Sequence, residues 1–163
     1  MTLHRNGITR ERVIELLSLR AADEYQRAVW PTMVSPGTGL DRLDRALHAT
    51  CQVADPWRHL LVGLFAEDGG IFHEAEHATD DERDRAVATR DVFVEPLARL
   101  LRDGALDGTL VDLPDVDQTA TVLFNQVGWT YLALRVGQRW AQERAEDAVV
   151  TLALAALTAS PQR

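Results

Sequence analysis

Apolar residues recur every three or four positions along most of this chain, which is the spacing of one face of an α-helix. The first such stretch predicts a long helix over residues 9–30. Pro31 and the segment 35–39 should end it, because proline has no amide hydrogen and glycine loses the most entropy on ordering. We therefore expect a loop after this helix.

Two shorter amphipathic stretches predict helices over residues 40–51 and 57–66. Asp55 and Pro56 stand directly before the second one, as an N-cap residue and a first-turn proline would. The segment 67–78, with two adjacent glycines, has little periodicity and is expected to connect this helix to the next.

A second long helix is predicted over residues 80–102, beginning at a Thr-Asp-Asp-Glu sequence with capping-box spacing. Pro96 should bend it, and Asp103 with Gly104 should supply a left-handed stop. Two further helices are expected over residues 115–135 and 140–159. Since no segment alternates as a strand does, the prediction is an all-α fold of about six helices.

Composition bounds the class of protein. A chain of 163 residues can bury a core as one domain, and its 17 basic residues are all arginine, which is typical of a high-GC bacterium. The net charge of -8 has the wrong sign for a surface that must neutralise phosphates. We therefore expect these residues alone not to hold DNA.

Localisation follows from what the sequence does not contain. Cys51 is the only cysteine, no leader-like segment precedes the first helix, and the apolar runs are shorter than the ~20 residues that a membrane span needs. The expected location is the cytoplasm, with no membrane association.

One short motif has metal chemistry attached to it. His73, Glu74 and His77 form the pattern H-E-x-x-H, which on a helix places two imidazoles on one face for zinc, with the glutamate as a general base. The flanking Gly69 and Gly70 argue against the long helix that such enzymes use. A zinc hydrolase is thus a minor alternative, and the main prediction is a protein that is not an enzyme, with no cofactor and no metal.

A polar residue inside an apolar helix predicts a ligand site. Asn125 shares a stripe with Trp129, and a buried amide needs hydrogen-bond partners. We expect it to orient a small apolar or aromatic ligand between aromatic walls, the alternative being a core asparagine among core aromatic residues. The predicted ligand-binding residues are Trp57, His59, Phe65, Phe93, Asn125 and Trp129.

The last two predicted helices carry broader apolar faces than one neighbour requires. Such a pair suits a symmetric dimer in which each chain contributes two helices to a four-helix bundle, the alternative being that both faces are internal core. The predicted interface residues are Leu123, Val127, Tyr131, Val149, Leu152 and Ala156.

The opening segment resembles the Thr-Leu-Tyr-x-His-Phe-x-Ser/Thr-Lys/Arg-Glu-x-Leu sequence that closes the helix-turn-helix of TetR-type regulators. The matching residues are Thr2, Leu3, Thr9, Arg10 and Glu11, whereas His4, Asn6 and Gly7 replace the family's tyrosine, histidine and phenylalanine. A Gly-x-x-x-Gly-x-Leu segment formed by Gly104, Gly108 and Leu110 is a second similarity.

This resemblance implies that residues 1–8 are a remnant of the helix-turn-helix and that residues 9–163 are a ligand-binding and dimerisation domain. It implies a homodimeric, small-molecule-sensing part of a transcriptional regulator, with DNA contacted only through a missing N-terminal domain. The alternative is a protein deficient in DNA binding that sequesters the ligand or pairs with a relative.

Overall fold

The computed structural model describes residues 10–68 and 91–158, apart from the side chains of residues 10–15, 18 and 64–68. Across these two ranges the ordered elements are helices, which confirms the all-α prediction for the described residues. The helices are α1 (Arg10–Met33), α2 (Gly39–Ala54), α3 (Arg58–Asp68), α4 (Glu95–Leu106), α5 (Val116–Leu132) and α6 (Gln142–Ala155). A 3₁₀ turn over Asp55–Trp57 joins α2 to α3, and a π-helical turn over Ala133–Gly137 ends α5.

Helix α2 lies at the centre and contacts α1, α4, α5 and α6. Its apolar stripe, with Leu43 and Leu47 fully buried, supplies the middle of the core. A capping box fixes its start, because the Thr38 hydroxyl accepts from the Asp41 amide while the Asp41 carboxylate accepts from the Thr38 amide. No helix within 10–68 or 91–158 is both long and apolar enough to cross a membrane.

Two glycines bring α2 and α4 into backbone contact. A Cβ built on Gly39 would lie 2.3 Å from the Cα of Gly104, and a Cβ on Gly104 would lie 2.4 Å from Leu110. The same contact caps α2, since the Gly39 amide donates to the Asp107 carboxylate at 2.6 Å. The Gly-x-x-x-Gly-x-Leu segment therefore has a packing role at this crossing.

The structure corrects two predicted helix ends. The first helix continues past Trp30 to Met33 with Pro31 inside it, because the last turn packs Met33 into the core. The stop predicted at Asp103 and Gly104 is wrong as well, since both residues lie within α4.

The left-handed position comes at Gly108, with φ of 76°. The glycine at 104 serves close approach between helices, which a sequence pattern alone does not distinguish from a helix stop. Pro96 lies in the first turn of α4, which begins at Glu95 directly after a turn at Val94, and residues 80–90 of the predicted helix lie outside the described residues.

A partly buried ionic network at Asp55 ties the end of α2 to the end of α5. Its Oδ1 accepts from the Tyr131 hydroxyl at 2.7 Å and from Arg135 Nε at 2.6 Å, and Arg58 Nη1 lies 3.1 Å from Oδ2. Arg135 also donates to the main-chain carbonyl of Trp140, beyond the π-helical turn. The carboxylate predicted to cap a helix is thus the hub of this network.

The network sets the protonation of its members. The hydrogen bond from Arg135 is the main reason why the pKa of Asp55 is below its ordinary value. Burial, followed by the hydrogen bond to Asp55, raises the pKa of Tyr131. The carboxylate is therefore ionised and the phenol protonated at neutral pH, which is the arrangement that the hydrogen bonds need.

The glycine contact predicts a large effect of one added methyl group. Gly39→Ala should lower the free energy of unfolding by about 2–3 kcal/mol, because the new Cβ meets rigid backbone of α4. Gly63→Ala is the matched control, since a Cβ at this helical position meets nothing within 4 Å and should raise stability by about 0.5–1 kcal/mol. Urea denaturation measures both, and equal stabilities of the two variants would contradict the contact.

The Asp55 network predicts that the stability lost on substituting Asp55 depends on pH. Asp55→Asn should lower the free energy of unfolding at pH 7 by about 1–3 kcal/mol, because it leaves the largely covered Arg135 guanidinium without its counter-charge. A carboxylate with a lowered pKa stabilises the fold above its unfolded pKa of about 4, and this contribution is lost as the pH falls through the folded value.

The gap between wild type and Asp55→Asn should therefore narrow in denaturation series carried below about pH 4. Asp112→Asn, at an exposed position of the connector, is the control and should change stability by less than about 0.5 kcal/mol. A gap that is constant with pH would show that the ionised carboxylate is not what stabilises this junction.

Candidate functional site

A cavity of about 100 Å³ lies among α1, α2, the 3₁₀ turn, α3, α5 and the helical residues 91–93. Its walls are almost entirely apolar and include no ionisable acid or base among the described residues apart from the phenol of Tyr25. The lining residues are Ala21, Tyr25, Thr50, Val53, Ala54, Trp57, Leu61, Phe93, Phe124, Asn125, Gly128, Trp129 and Leu132. A largely apolar cavity with a few polar groups is the usual form of a small-molecule site.

Three aromatic rings in tilted or edge-on contact form one wall. The ring centroids of Tyr25 and Phe93 are 4.9 Å apart, those of Phe93 and Phe124 are 5.6 Å apart, and the Tyr25 ring meets Phe124 edge-on at 6.1 Å. The Tyr25 hydroxyl donates to the main-chain carbonyl of Phe93 at 2.9 Å, which holds α1 against residues 91–93. Burial raises the pKa of Tyr25, so this hydroxyl remains a donor.

Trp57 is fixed by a charged partner on α1. Its indole Nε1 donates to the Glu24 carboxylate at 2.7 Å, and the Arg20 guanidinium lies 5.2 Å from the ring centroid. The hydrogen bond from Trp57, with a further one from Arg20, lowers the pKa of Glu24. The tryptophan thus presents its apolar ring to the cavity and its polar edge to an ionised carboxylate.

Two more polar side chains reach the cavity. The Thr50 hydroxyl donates to the Ala46 carbonyl at 2.8 Å within α2, and the Asn125 amide nitrogen donates to the Thr121 carbonyl at 2.8 Å within α5. Each of these side chains thus donates one hydrogen to a main-chain carbonyl of its own helix.

The structure brings together four of the six residues predicted to bind a ligand, namely Trp57, Phe93, Asn125 and Trp129. His59 is exposed and does not line the cavity, because it lies on the solvent side of the first turn of α3. The side chain of Phe65 lies outside the described residues. Ligand binding by these side chains stays a prediction.

Sequence reasoning missed the contribution of the first two helices. Ala21 and Tyr25 are four residues apart on α1. Thr50, Val53 and Ala54 lie three and four residues apart on one face of the last turns of α2. The only available signal was a tyrosine and a threonine on otherwise apolar faces, the same kind of signal that singled out Asn125.

The predicted dimer residues divide into two groups. Leu123, Val127, Tyr131 and Val149 are at most 4% exposed and belong to the core of the single chain. Leu152 is 65% exposed and Ala156 is exposed, so a second copy could reach these two without unpacking the fold. The apolar breadth of α5 is explained in part by its packing against α2, which the sequence pattern did not reveal.

Two further candidates for reactive chemistry are the predicted zinc motif and Cys51. His73, Glu74 and His77 lie outside the described residues, and elsewhere in residues 10–68 and 91–158 no three acidic, histidine or cysteine side chains are grouped as metal ligands. Burial raises the pKa of Cys51 to about 12, so it is a core thiol and not a thiolate at neutral pH.

Comparisons with known proteins do not place the chain in a family. No protein-family model matches it, and no curated protein is significantly similar to it.

Proposed function

We propose that this chain is the small-molecule-sensing and dimerisation domain of a TetR-like bacterial transcriptional regulator. The observation that carries the proposal is the aromatic cavity, at which Trp57, Phe93, Asn125 and Trp129 meet from three separate parts of the chain. A cavity of this kind, lined from several helices, responds to a ligand by favouring the helix arrangement that binds it best. The proposal includes no catalytic step.

The position of the cavity supports a sensing role. Ala21 and Tyr25 of α1 form part of its wall. In the proposed family, α1 corresponds to the helix that links the DNA-binding domain to the ligand-binding domain. A ligand that contacts Tyr25 and α5 together would bias the angle of α1 relative to the rest of the domain. Only a difference in affinity between the two helix arrangements can transmit such a signal.

The net charge of -8 supports a second candidate, a ligand-sequestering or interaction protein that is deficient in DNA binding. Both candidates use the same cavity. They differ in whether a helix-turn-helix is encoded in frame before Met1, which the upstream genomic sequence decides. Such a segment would favour the regulator, and its absence from an open frame would favour the second candidate.

Filling the cavity tests ligand binding directly. Gly128 lines the cavity, and a Cβ there meets nothing within 4 Å, so Gly128→Phe should occupy the ligand space while α5 stays folded. We expect uncharged single-ring compounds such as toluene and benzyl alcohol to raise the melting temperature of the wild type and to leave Gly128→Phe unchanged.

Gly63→Phe is the matched control, because Gly63 lies outside the cavity in equally open space. It should keep the response of the wild type in thermal-shift and calorimetric titrations. Wild-type protein that responds to none of these compounds, or a Gly128→Phe variant that responds fully, would reject the cavity as the sensing site.

A dimer predicts a solution mass of twice the 18.1 kDa chain. Leu152→Glu should convert it to monomer in light-scattering measurements, since a carboxylate on the exposed face of α6 would have to be desolvated in an interface. Leu106→Glu is the control, because this leucine is 87% exposed at the end of α4, a helix outside the predicted interface. A wild-type mass of one chain would contradict the dimer.

A further inference from the structure

The outward face of helix α1 carries large apolar side chains that remain exposed. The helix packs along α2 and α4 through its buried side, around Tyr25. On the outward side, Leu16, Leu19 and Trp30 are between 49% and 62% exposed, and Val34, directly after the helix end, is 82% exposed. Single exposed apolar residues are ordinary, whereas several on one face mark an interaction surface.

These side chains share their face with an ion pair. With 3.6 residues per turn, positions 16, 19, 23, 27 and 30 fall within an arc of about 80° around the helix axis. In the middle of this arc, Arg27 Nη2 lies 2.7 Å from Asp23 Oδ2. The outer α1 face, with apolar ends and a charged centre, consists of Leu16, Leu19, Asp23, Arg27, Trp30 and Val34.

The outer α1 face has nearly the same order of residues from either end. About residue 25, position 16 mirrors position 34 and position 23 mirrors position 27, while position 19 lies within one residue of the mirror image of position 30. When two identical helices cross antiparallel at residue 25, mirrored positions meet across the two-fold axis. Apolar ends then contact apolar ends, and Asp23 of each copy faces Arg27 of the other.

Charge favours a second copy of this chain as the occupant of the face. The net charge of -8 makes two copies repel each other in general, so a contact between them needs a locally neutral surface. Asp23 and Arg27 cancel on the outer α1 face, and the adjacent Arg20 and Glu24 are also paired, at 2.9 Å. Antiparallel pairing adds an opposite charge beside each member of the central pair without breaking that pair.

We propose that the outer α1 face binds a second copy of the same chain in an antiparallel two-fold contact centred on Asp23 and Arg27. The contact involves neither the cavity nor α6, and so it goes beyond the proposed function. Because one helix from each chain forms it, it is smaller than a standard-size interface and the association is weak. Where the dimer at α6 also forms, a second two-fold contact joins such dimers into tetramers.

Sedimentation equilibrium of the full chain tests this contact. Leu152→Glu removes the interface proposed at α6, so any association that remains in this background reports on α1. The mass should rise from one chain towards two between about 5 µM and about 500 µM protein. Adding Leu19→Glu should raise the dissociation constant at least about tenfold, because the carboxylate must be desolvated. Adding Leu106→Glu, at an exposed leucine of α4, should leave it within about twofold.

Exchanging the central charges tests the antiparallel arrangement. In the same background, Asp23→Arg and Arg27→Asp should each weaken self-association at least about tenfold, since like charges then face each other across the axis. An equimolar mixture of these two variants should pair with an affinity within about threefold of the parent, because every arginine again meets an aspartate. Thermal unfolding of each variant verifies that it is folded.

The outcomes keep this contact separate from the dimer at α6. A mass of one chain over the whole concentration range overturns the proposal. Charge variants that each self-associate like the parent, or a mixture that does not pair, overturn it as well. A wild type that is monomeric at about 5 µM rejects the dimer at α6, and if it associates at higher concentration and loses this with Leu19→Glu, the contact at α1 is supported.

Discussion

The ion pair between Asp55 and Arg135 holds the parts of this fold that the cavity depends on. Asp55 begins the 3₁₀ turn that carries Trp57, and Arg135 lies in the π-helical turn that follows Leu132, so the pair fixes two walls of the cavity relative to each other. Both side chains are largely buried, at 13% and 15% exposure, where an unpaired charge would be costly. Neither wall can move far without breaking this pair.

The π-helical turn follows from the same requirement. Arg135 has to reach Asp55 with its guanidinium and also donates to the Trp140 carbonyl, while Tyr131, four residues earlier, donates to the same carboxylate oxygen. The wider turn over Ala133–Gly137 changes the angle at which the guanidinium leaves the helix. Such turns are commonly found beside functional sites, and this one lies directly after the cavity residue Leu132.

The features of this fold that the sequence predicts are those set by residues close together along the chain. The helical periodicity is local, and it located most of the helices within a few residues. Asn125 within an apolar stripe is also a local signal, and it identified one wall of the cavity. The roles of Asp55, Gly104 and Tyr25 depend on partners 68 to 80 residues away along the chain, or on a neighbouring helix, and no spacing rule finds them.

The dimer residues illustrate the same limit from the other direction. A broad apolar face predicts that a helix is buried on that side, but it does not predict whether its own chain or a second copy covers it. Val127 and Tyr131 are covered by their own chain, whereas Leu152, with the same apolar character, is 65% exposed. Distinguishing the two from sequence would require knowing that α2 lies at the centre and contacts both C-terminal helices.

The cavity and the ionic network together explain how a weakly polar ligand could act on a rigid fold. The walls made by the 3₁₀ turn and α5 are fixed by Asp55 and Arg135, so they serve as a frame. The wall made by α1 is joined to this frame by two hydrogen bonds, from Tyr25 to the Phe93 carbonyl and from Trp57 to Glu24, and α1 also packs along α2. A ligand beside Tyr25 can therefore move α1 only if it binds the shifted arrangement more tightly by an amount that exceeds the loss of these contacts.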